Sequence, residues 1–363
     1  MVRGERWLFF EVMTIHAGAA HAGGAAHPEV SVVVPTHNRR ELLLLTLRSV
    51  LWQRGVDVEV IVVDDGSTDG TRDAVLALDE PRVHVVDHRT AQGVSVARNR
   101  GFSASNGGWV AFLDDDDLWA PDKLIAQLDA AKRAGRDWVY TGAVNINDRL
   151  EVLGGAPPEP PDNVAANITV ANLVPGGCSG VLIRRPLLTQ EPFDQTYFHF
   201  ADWDLWIRLA AAGPPAWVPR PLIGYRLHGG NASHDTEGMI AELDIIASRY
   251  GGKVDRARFY RHVARVSLRG SRPGRALRYY YNAARRDGLY ARREFAGDLA
   301  QVGVATVNRS RAAVGRRIGS TRLQRPLRWP GTDAHARWRE EATQWLTRLA
   351  RPSPTAPRRF PAE

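Results

Sequence analysis

The sequence predicts an α/β fold with a largely parallel sheet, followed by a basic helical region. Short apolar runs typical of buried strands alternate with segments of helical periodicity, which indicates βαβ units. Three of the strands end in polar loops that carry Asp or Asn. Parallel connections place such loops at one edge of a sheet, where ligands bind. From Glu237 onward the pattern becomes helical throughout.

Size and composition limit the class of protein. A chain of 363 residues suggests about two domains. With 44% hydrophobic and 24% charged residues, we expect a globular protein with a sizeable core. The single cysteine, Cys178, excludes an internal disulfide and fits a reducing compartment. No apolar run approaches the roughly 20 residues of a membrane span. The sequence therefore predicts a cytoplasmic protein.

The charge is unevenly distributed along the chain. The formal net charge is +8, but residues from Asp235 onward include 27 basic and 12 acidic side chains, a balance of +15 that leaves −7 for residues 1–234. A basic, arginine-rich end can face nucleic acid, an anionic membrane surface or an acidic partner. We expect no nucleic acid partner. A peripheral contact with the inner face of an anionic membrane stays open.

Composition divides the chain into four parts. The N-terminal part is rich in Ala, Gly and His, and we expect it to be disordered; Glu11 and His16 interrupt its apolar run and exclude a signal peptide. The last part is rich in Arg and Pro, and we expect low order there, with room for an amphipathic helix near Trp338 to Leu349. The four parts are a leader at 1–27, an α/β domain at 28–234, a helical basic region at 235–315 and a tail at 316–363.

The elements follow from apolar periodicity and turn residues. Helical spacing toward the C-terminus indicates a hairpin of two helices that turns at Gly274. The Pro-rich run Ala156 to Pro161 must be a loop. The predicted strands are 29–34, 56–63, 82–86, 109–113, 138–146 and a short one within 176–185. The predicted helices of the first domain are 41–53, 72–78, 93–105, 121–134 and one that begins within 198–209.

One stretch organises the rest. The apolar run Trp109 to Leu113 has the composition of a buried strand, and Asp114 to Asp117 follow it directly. Four like charges in a row repel one another and resist burial. A divalent cation would relieve the repulsion, and oxygen ligands suit Mg²⁺ or Mn²⁺. The alternative is a solvated acidic turn.

Six blocks in the first domain extend this interpretation. They are VSVVVPTHNR, VEVIVVDDGSTDGT, GVSVARNRG, WVAFLDDDDLWAPDKL, DWDLWIRLAAAG and YRLHGGNAS, and they span Val30 to Ser233. In this order and spacing they resemble family 2 glycosyltransferases of the GT-A fold. The resemblance implies a UDP-linked nucleotide-sugar donor, a divalent metal and inversion at the anomeric carbon. It also implies an acceptor hydroxyl on a cell-envelope polysaccharide, glycolipid or secondary metabolite.

The resemblance assigns roles to individual positions. It implies that Asp202 is the catalytic base and that Asp116 is a metal ligand. The family usually has Glu-Asp where this chain has Ala201-Asp202, which puts the role of the missing Glu in doubt. The positions that resemble donor-binding residues, near the nucleotide, the diphosphate or the metal, are Pro35, Thr36, Asn38, Asp65, Arg98, Asn99, Asp114, Asp115 and His228.

Several alternatives stay open at this stage. Asp204 competes with Asp202, but its distance of four residues from Arg208 favours ion pairing on the helix. VVDDGSTDGT resembles the nucleophile loop of haloacid-dehalogenase phosphatases, although the spacing Asp-x-Asp-Gly-Thr is absent. No G-x-G-x-x-G follows the first strand, which disfavours a dinucleotide-binding dehydrogenase. A non-catalytic protein that binds nucleotide sugars is the remaining rival, and intact Asp65, Asp116 and Asp202 disfavour it.

Overall fold

The computed structural model describes residues 27–228, 235–269, 272–287, 296–297, 299–300, 302 and 333–351. The predicted leader, apart from residue 27, and most of the predicted tail lie outside these ranges. Within them, no helix is both long and apolar enough to cross a membrane.

The described residues form one nine-stranded sheet flanked by helices. Along the sheet the order is β3-β2-β1-β4-β8-β6-β9-β5, with β7 paired to β6. The strands are β1 (Val30–Thr36), β2 (Val58–Asp64), β3 (Val83–Asp87), β4 (Trp109–Phe112), β5 (Leu118–Trp119), β6 (Trp138–Ile146), β7 (Val152–Ala156), β8 (Val181–Arg184) and β9 (Ala216–Arg226). The helices are α1 (Arg40–Leu51), α2 (Thr71–Leu76), α3 (Val94–Ala104), α4 (Lys123–Ala134), α5 (Pro161–Asn167), α6 (Ala201–Ala212), α7 (Thr236–Arg249), α8 (Arg256–Arg269), α9 (Pro273–Ala284) and α10 (Asp333–Ala350).

The first four strands in this order are mutually parallel, as the sequence predicted. β1 pairs in parallel with both β2 and β4, and β2 with β3. β8 then runs antiparallel to β4 and β6. β1 and β2 are buried along their whole length, because helices cover both faces of this half of the sheet.

The two faces of the sheet contribute to separate apolar clusters. Val32 and Val34 of β1 pack on one face with residues of α1 and α4, whereas Val33 packs on the other with residues of α3 and α6. This alternation follows from the twofold side-chain period of a strand. The central strands are thereby fixed, and so are the loops at their carboxyl ends.

Helix α10 closes the first of these clusters. Ala342, Trp345, Leu346 and Leu349 are spaced as one helical stripe and are buried in the cluster, and Trp345 Nε1 donates to the carbonyl of Pro221 at 3.1 Å. The sequence predicts a tail of low order here, with an amphipathic helix near Trp338 to Leu349. The structure has that helix, but as part of the sheet core, because its apolar stripe covers β9.

Helices α8 and α9 form the predicted hairpin around a third cluster that includes Val263, Ala276 and Tyr280. The turn prediction was wrong. Gly274 is the second residue of α9, and Pro273 opens the helix, since the fixed φ of proline suits the first helical position. On the same helix, Leu277 is 44% exposed and lies outside this cluster.

Candidate functional site

The candidate site lies where β2, β1 and β4 end. These strands are parallel neighbours, so their carboxyl ends meet at one edge. β1 ends at Thr36, β2 at Asp64, and β4 continues through one residue into Asp114–Asp117. The edge that the sequence predicted is therefore the one on which three of its polar loops converge.

Two carboxylates of the acidic loop share one cation. Arg39, directly before α1, places its Nη1 2.9 Å from Asp115 Oδ1 and 2.9 Å from Asp116 Oδ2. Thr36 Oγ1 donates to Asp115 Oδ2 at 2.7 Å, and His228 Nε2 lies 2.8 Å from Asp116 Oδ2. The structure thus brings together four of the predicted site residues from three distant segments. Arg39, which joins two of them, was not predicted.

Burial changes the protonation of Asp115. Loss of hydration raises the pKa of this carboxyl to about 6, although the Arg39 guanidinium lowers it; the neighbouring Asp116 adds to the rise. A carboxyl with this pKa exchanges its proton near neutral pH. At neutral pH the Asp115 carboxyl is therefore mostly ionised, and mild acidification protonates it.

Asp117 holds the loop in place. Its side chain is fully buried, and burial, followed by repulsion from Asp116 and Asp114, raises its pKa well above the usual range. Ser179 Oγ donates to Asp117 Oδ2 at 2.6 Å, and the backbone N–H of Arg226 donates to Oδ1 at 3.0 Å. Because both of its oxygens face protein donors, Asp117 is a structural member of the run.

Asp114 is paired with a buried arginine. Arg98 Nη2 donates to Asp114 Oδ1 at 2.5 Å, and the guanidinium lies 5.1 Å from the centre of the Phe193 ring. Arg98 is 7% exposed, and within the described part of the chain its buried Nε has no hydrogen-bond partner. A buried N–H donor without a partner is costly, and a ligand oxygen would satisfy it.

Asp202 is the second residue of α6 and lies beside this pair. Its side chain is half-buried, and Oδ1 accepts from its neighbour Trp203 N at 2.7 Å. Burial raises the pKa of Asp202 to about 6; the charge of Arg98 opposes the rise and that of Asp114 adds to it. Gly177 faces it closely, since a Cβ there would lie 3.5 Å from Asp202 Oδ2. Asp202 is thus a carboxylate that can accept a proton near neutral pH.

A glutamate from α7 fixes the chain that leads into α6. Glu242 Oε1 accepts from Phe198 N at 2.9 Å, and Oε2 accepts from His199 N at 2.8 Å and Phe200 N at 3.0 Å. No side chain caps α6 at its own first turn. The three bonds to Glu242 therefore define how the helix starts and, with it, where Asp202 stands.

Asp204 makes the ion pairs that the sequence predicted, and others. It is fully buried, accepts from Arg208 Nε at 2.9 Å and Arg249 Nη1 at 3.1 Å, and receives the hydroxyl of Tyr250 at 2.6 Å. With its oxygens occupied in the core, Asp204 has a structural role. Ala201 is also buried, at 1% exposure, so this position presents no polar group.

Asp65 organises the loop before α3. His88 Nδ1 lies 2.7 Å and Gln92 N lies 2.8 Å from its Oδ1, and Gly93 N donates to Oδ2 at 2.8 Å. These contacts order the loop beside the end of β2. They leave the predicted contact of Asp65 with a nucleotide base as a prediction.

The remaining predicted donor-binding residues mainly shape loops. Pro35 is buried within β1. Asn38, at φ 53°, accepts from Thr68 N at 2.7 Å and ties the loops after β1 and β2 together. Asn99 uses its amide oxygen and nitrogen for the backbone of Phe193, at 2.9 and 2.8 Å. The structure therefore places Asn99 in support of the Arg98 surroundings.

Side chains at this edge could bind a divalent cation, but the described residues do not form a preassembled metal site. No three His, Cys, Asp or Glu side chains converge on a metal position among the described residues. The donor set nevertheless fits Mg²⁺ or Mn²⁺, because Asp115 and Asp116 already turn one oxygen each to a shared cation, the Arg39 nitrogen.

Sequence reasoning missed Arg39, Ser179, Arg226 and Glu242. Arg39 lies in the first of the six blocks, VSVVVPTHNR, so its position was marked although its role was not. For Ser179 the only signal was the glycine-rich segment GGCSG around it. Glu242 lies in a helical segment beyond all six blocks. Its role depends on the packing of α7 against the loop before α6, which no local pattern encodes.

Comparisons with a family model and with known proteins agree with the family that the six sequence blocks resemble. The family model for glycosyl transferase family 2 matches residues 31–185. WfgD of Escherichia coli, a UDP-Glc:alpha-D-GlcNAc-diphosphoundecaprenol beta-1,3-glucosyltransferase, is 30% identical over 183 residues, which cover 50% of this chain and 69% of that protein. TuaG of Bacillus subtilis, a putative teichuronic acid biosynthesis glycosyltransferase, is 42% identical over 117 residues, or 32% of this chain and 46% of that protein.

A solved structure supports the fold. S. aureus TarS 1-349 in complex with UDP-GlcNAc covers 82% of this chain and 94% of that chain, with a TM-score of 0.51 and 17% sequence identity. At this identity the likeness concerns the fold alone. The predicted GT-A fold with C-terminal helices is confirmed.

Proposed function

Because this chain belongs to glycosyl transferase family 2, we propose that it moves a sugar from a nucleotide-diphosphate donor to an acceptor hydroxyl, with inversion at the anomeric carbon. The observation that carries the proposal is the position of Asp202. A half-buried carboxylate with a pKa of about 6 stands beside the Arg98–Asp114 pair, at the same sheet edge as the acidic loop. A group that can accept a proton thus lies next to a polar site suited to the nucleotide-sugar donor.

In this proposal Asp202 acts on the acceptor. It takes the proton of the acceptor hydroxyl as that oxygen attacks the anomeric carbon, while the bond from the anomeric carbon to the diphosphate oxygen breaks. The nucleoside diphosphate leaves, and Asp202 later returns the proton to water. A positioned base of this kind contributes about 10²–10⁴-fold to the rate.

The donor side uses the three loops at the sheet edge. We propose a UDP-linked donor, which the UDP-GlcNAc complex of TarS supports through its fold and the glucosyltransferase WfgD through its sequence. Thr36 and Asp65 border the nucleotide, and the unpartnered N–H of Arg98 is suited to a diphosphate or sugar oxygen. The phosphatase alternative needs an accessible nucleophile at Asp64, but Asp64 is 3% exposed, and its Oδ1 accepts from Ser67 N at 2.9 Å within its own turn.

We propose that Mg²⁺ or Mn²⁺ binds here with Asp116 as a ligand and Asp115 and His228 next to it. When bound, the ion would neutralise the diphosphate and stabilise it as a leaving group. Within the chain, Asp117, Ser179 and the backbone of Arg226 hold the loop on which these ligands sit.

The acceptor is proposed from the relatives. WfgD is named for a diphosphoundecaprenol-linked acceptor and TuaG for teichuronic acid biosynthesis. We propose an envelope glycan or glycolipid of this chemical kind. The wall of the acceptor site would include the segment around α5, between β7 and β8, which lies on the Asp202 side of the edge: Trp203 Nε1 donates to Ile168 O in that segment.

The experiment is a screen of nucleotide sugars for metal-dependent release of nucleoside diphosphate, with wild type, Asp116→Asn and the exposed control Asp137→Asn. We expect UDP release that EDTA abolishes, and a loss of about a hundredfold or more in Asp116→Asn. Asp137→Asn should match wild type. UDP binding without turnover would favour the non-catalytic alternative, and release of phosphate from simple phosphate esters would favour the phosphatase. Turnover that EDTA leaves unchanged would contradict the metal.

We also propose a peripheral contact with anionic lipid through the outer face of α9. Residues 256–287 contain ten arginines and one acidic residue. Leu277 and Tyr281, one helical turn apart, are 44% and 54% exposed on this basic surface. Arg285 lies 5.8 Å from the centre of the Tyr281 ring, and exposed apolar side chains on an arginine-rich helix match the chemistry of an anionic bilayer surface.

The test of this contact should use substitutions, because truncation at residue 235 would also remove α10 from the core. We expect the double variant Leu277→Glu with Tyr281→Glu to co-sediment less with phosphatidylglycerol vesicles than wild type does. Added salt should reduce the co-sedimentation of wild type. Leu76→Glu is the control, because Leu76 is 52% exposed on α2, away from the arginine-rich helices. Equal binding by all three proteins would remove this part of the proposal.

A further inference from the structure

We propose that Arg39 is an internal cation that occupies the metal position between Asp115 and Asp116 and must leave when the metal arrives with the donor. This inference rests on the proposed metal. It concerns what the chain does before the metal binds.

The geometry makes the guanidinium and a metal mutually exclusive. One nitrogen, Nη1 of Arg39, lies 2.9 Å from an oxygen of each carboxylate. Mg²⁺ binds carboxylate oxygens at about 2.0–2.1 Å. An ion bound to the same two oxygens would therefore lie in the space of this nitrogen, and two cations so close repel one another. Either can neutralise the pair, but not both.

Arg39 is placed so that only its side chain has to move. Its carbonyl accepts from Leu43 N at 3.0 Å and is part of the start of α1, which fixes the backbone. The side chain is 31% exposed, whereas those of Asp115 and Asp116 are 6% and 8% exposed. The carboxylates thus stay in place while the guanidinium has a path toward solvent.

The donor gives the displaced guanidinium a new partner. Arginine remains charged at any working pH and binds phosphate oxygens through paired N–H groups. A metal that arrives alone has to displace Arg39 into water, whereas a metal that arrives with a diphosphate offers Arg39 an anion nearby. Affinities for metal and donor should therefore be coupled, and the coupling is reciprocal.

The test measures Mn²⁺ binding directly, by the loss of the free-ion electron paramagnetic resonance signal, with and without UDP. We expect wild type to bind Mn²⁺ weakly alone and at least about tenfold more tightly with UDP. In Arg39→Gln, Mn²⁺ alone should bind about tenfold more tightly than to wild type, and the gain from UDP should shrink. Arg39→Lys keeps the charge but not the fork geometry of the guanidinium, so its affinity for Mn²⁺ should lie between those of wild type and Arg39→Gln.

Arg40→Gln is the matched control, because Arg40 is the next residue and pairs with exposed Glu41 instead. It should bind Mn²⁺ as wild type does, and circular dichroism should show all variants folded. The inference is overturned if Arg39→Gln binds Mn²⁺ no better than wild type, or if no protein binds Mn²⁺ even with UDP. Only the second result also contradicts the proposed metal, and neither bears on sugar transfer, which UDP release in the donor screen reports separately.

Discussion

Replacing Asp202 by Asn should abolish transfer and, at the same time, stabilise the protein at alkaline pH. The substitution preserves the shape of the side chain and an oxygen that can accept from Trp203 N. It removes the carboxylate that would take the acceptor proton, so we expect turnover to fall by about 10²–10⁴-fold. UDP affinity should stay near wild type, because no contact at the ends of β1 and β2 changes.

The effect on stability follows from the pKa of about 6, which lies above the ordinary value of 3.8. Between these two values the folded protein holds a proton that the unfolded chain has released. Wild-type stability therefore falls as pH rises from about 4 to about 6 and stays lower above that. At about 1.4 kcal/mol per pKa unit, and with a reduction for the partial exposure of Asp202, the loss is on the order of 1–3 kcal/mol. Asn does not titrate, so the Asp202→Asn variant does not lose this free energy of unfolding as pH rises.

Urea unfolding at pH 5 and pH 8 measures this difference. We expect Asp202→Asn to be more stable than wild type at pH 8, with a smaller advantage at pH 5. Asp194→Asn is a control of opposite sign: burial alone would raise the pKa of Asp194, but hydrogen bonds from Thr196 and Arg249 hold it at about 2. That variant should be less stable than wild type at pH 8. An advantage of Asp202→Asn that does not grow from pH 5 to pH 8 would refute the burial argument.

The pH dependence of the rate is a second measurement that reports on the carboxyl of Asp202. Because a base acts in its ionised form, wild-type kcat/KM should rise with pH and level off above an apparent pKa of about 6. If folded Asp202→Asn turns over within threefold of wild type, Asp202 is not the base.

Three further changes separate structural from chemical roles. Asp204→Asn should destabilise the fold by about 3 kcal/mol, because Arg208 and Arg249 lose a buried charged partner, while turnover per folded molecule stays unchanged. Activity lost without a fall in melting temperature would contradict this. Glu242→Gln should lower kcat by about tenfold at unchanged UDP affinity, since a carboxamide accepts fewer of the three N–H groups before α6 than a carboxylate does; an unchanged kcat would remove its positioning role. Trp345→Ala should cost about 3 kcal/mol in urea unfolding, whereas exposed Thr347→Ala on the same helix should change stability by less than about 0.5 kcal/mol.

The parallel half of the sheet could be predicted because its strands are buried on both faces. Such strands appear as continuous apolar runs, and their ends are marked by polar residues. Val30–Thr36 and Val58–Asp64 agree with the predicted 29–34 and 56–63 within two residues. Once these strands were taken as parallel, the common edge for their loops followed from topology.

Strand β9 could not be predicted in the same way. Its eleven residues include Pro219 and Pro221, and proline within a run normally argues against a strand. The structure accommodates them with register shifts against β6 around Gly142. This strand carries Arg226 to the acidic loop, so the contacts of Arg226 and His228 with that loop depend on an element that the sequence conceals.

The local pattern of four consecutive aspartates could not predict which partner each of them meets. They are consecutive and chemically identical, yet their surroundings differ: Asp114 meets Arg98 from α3, Asp115 and Asp116 share Arg39, and Asp117 meets Ser179 and the backbone of β9. These partners come from four separate segments, and a local pattern contains none of them. A solvated acidic turn would leave the carboxylates in water, whereas here Asp115, Asp116 and Asp117 are buried and matched to donors. The tertiary fold thus divides one acidic run into three parts: Asp117 fixes the loop, Asp114 pairs with buried Arg98, and Asp115 and Asp116 are held around the guanidinium of Arg39.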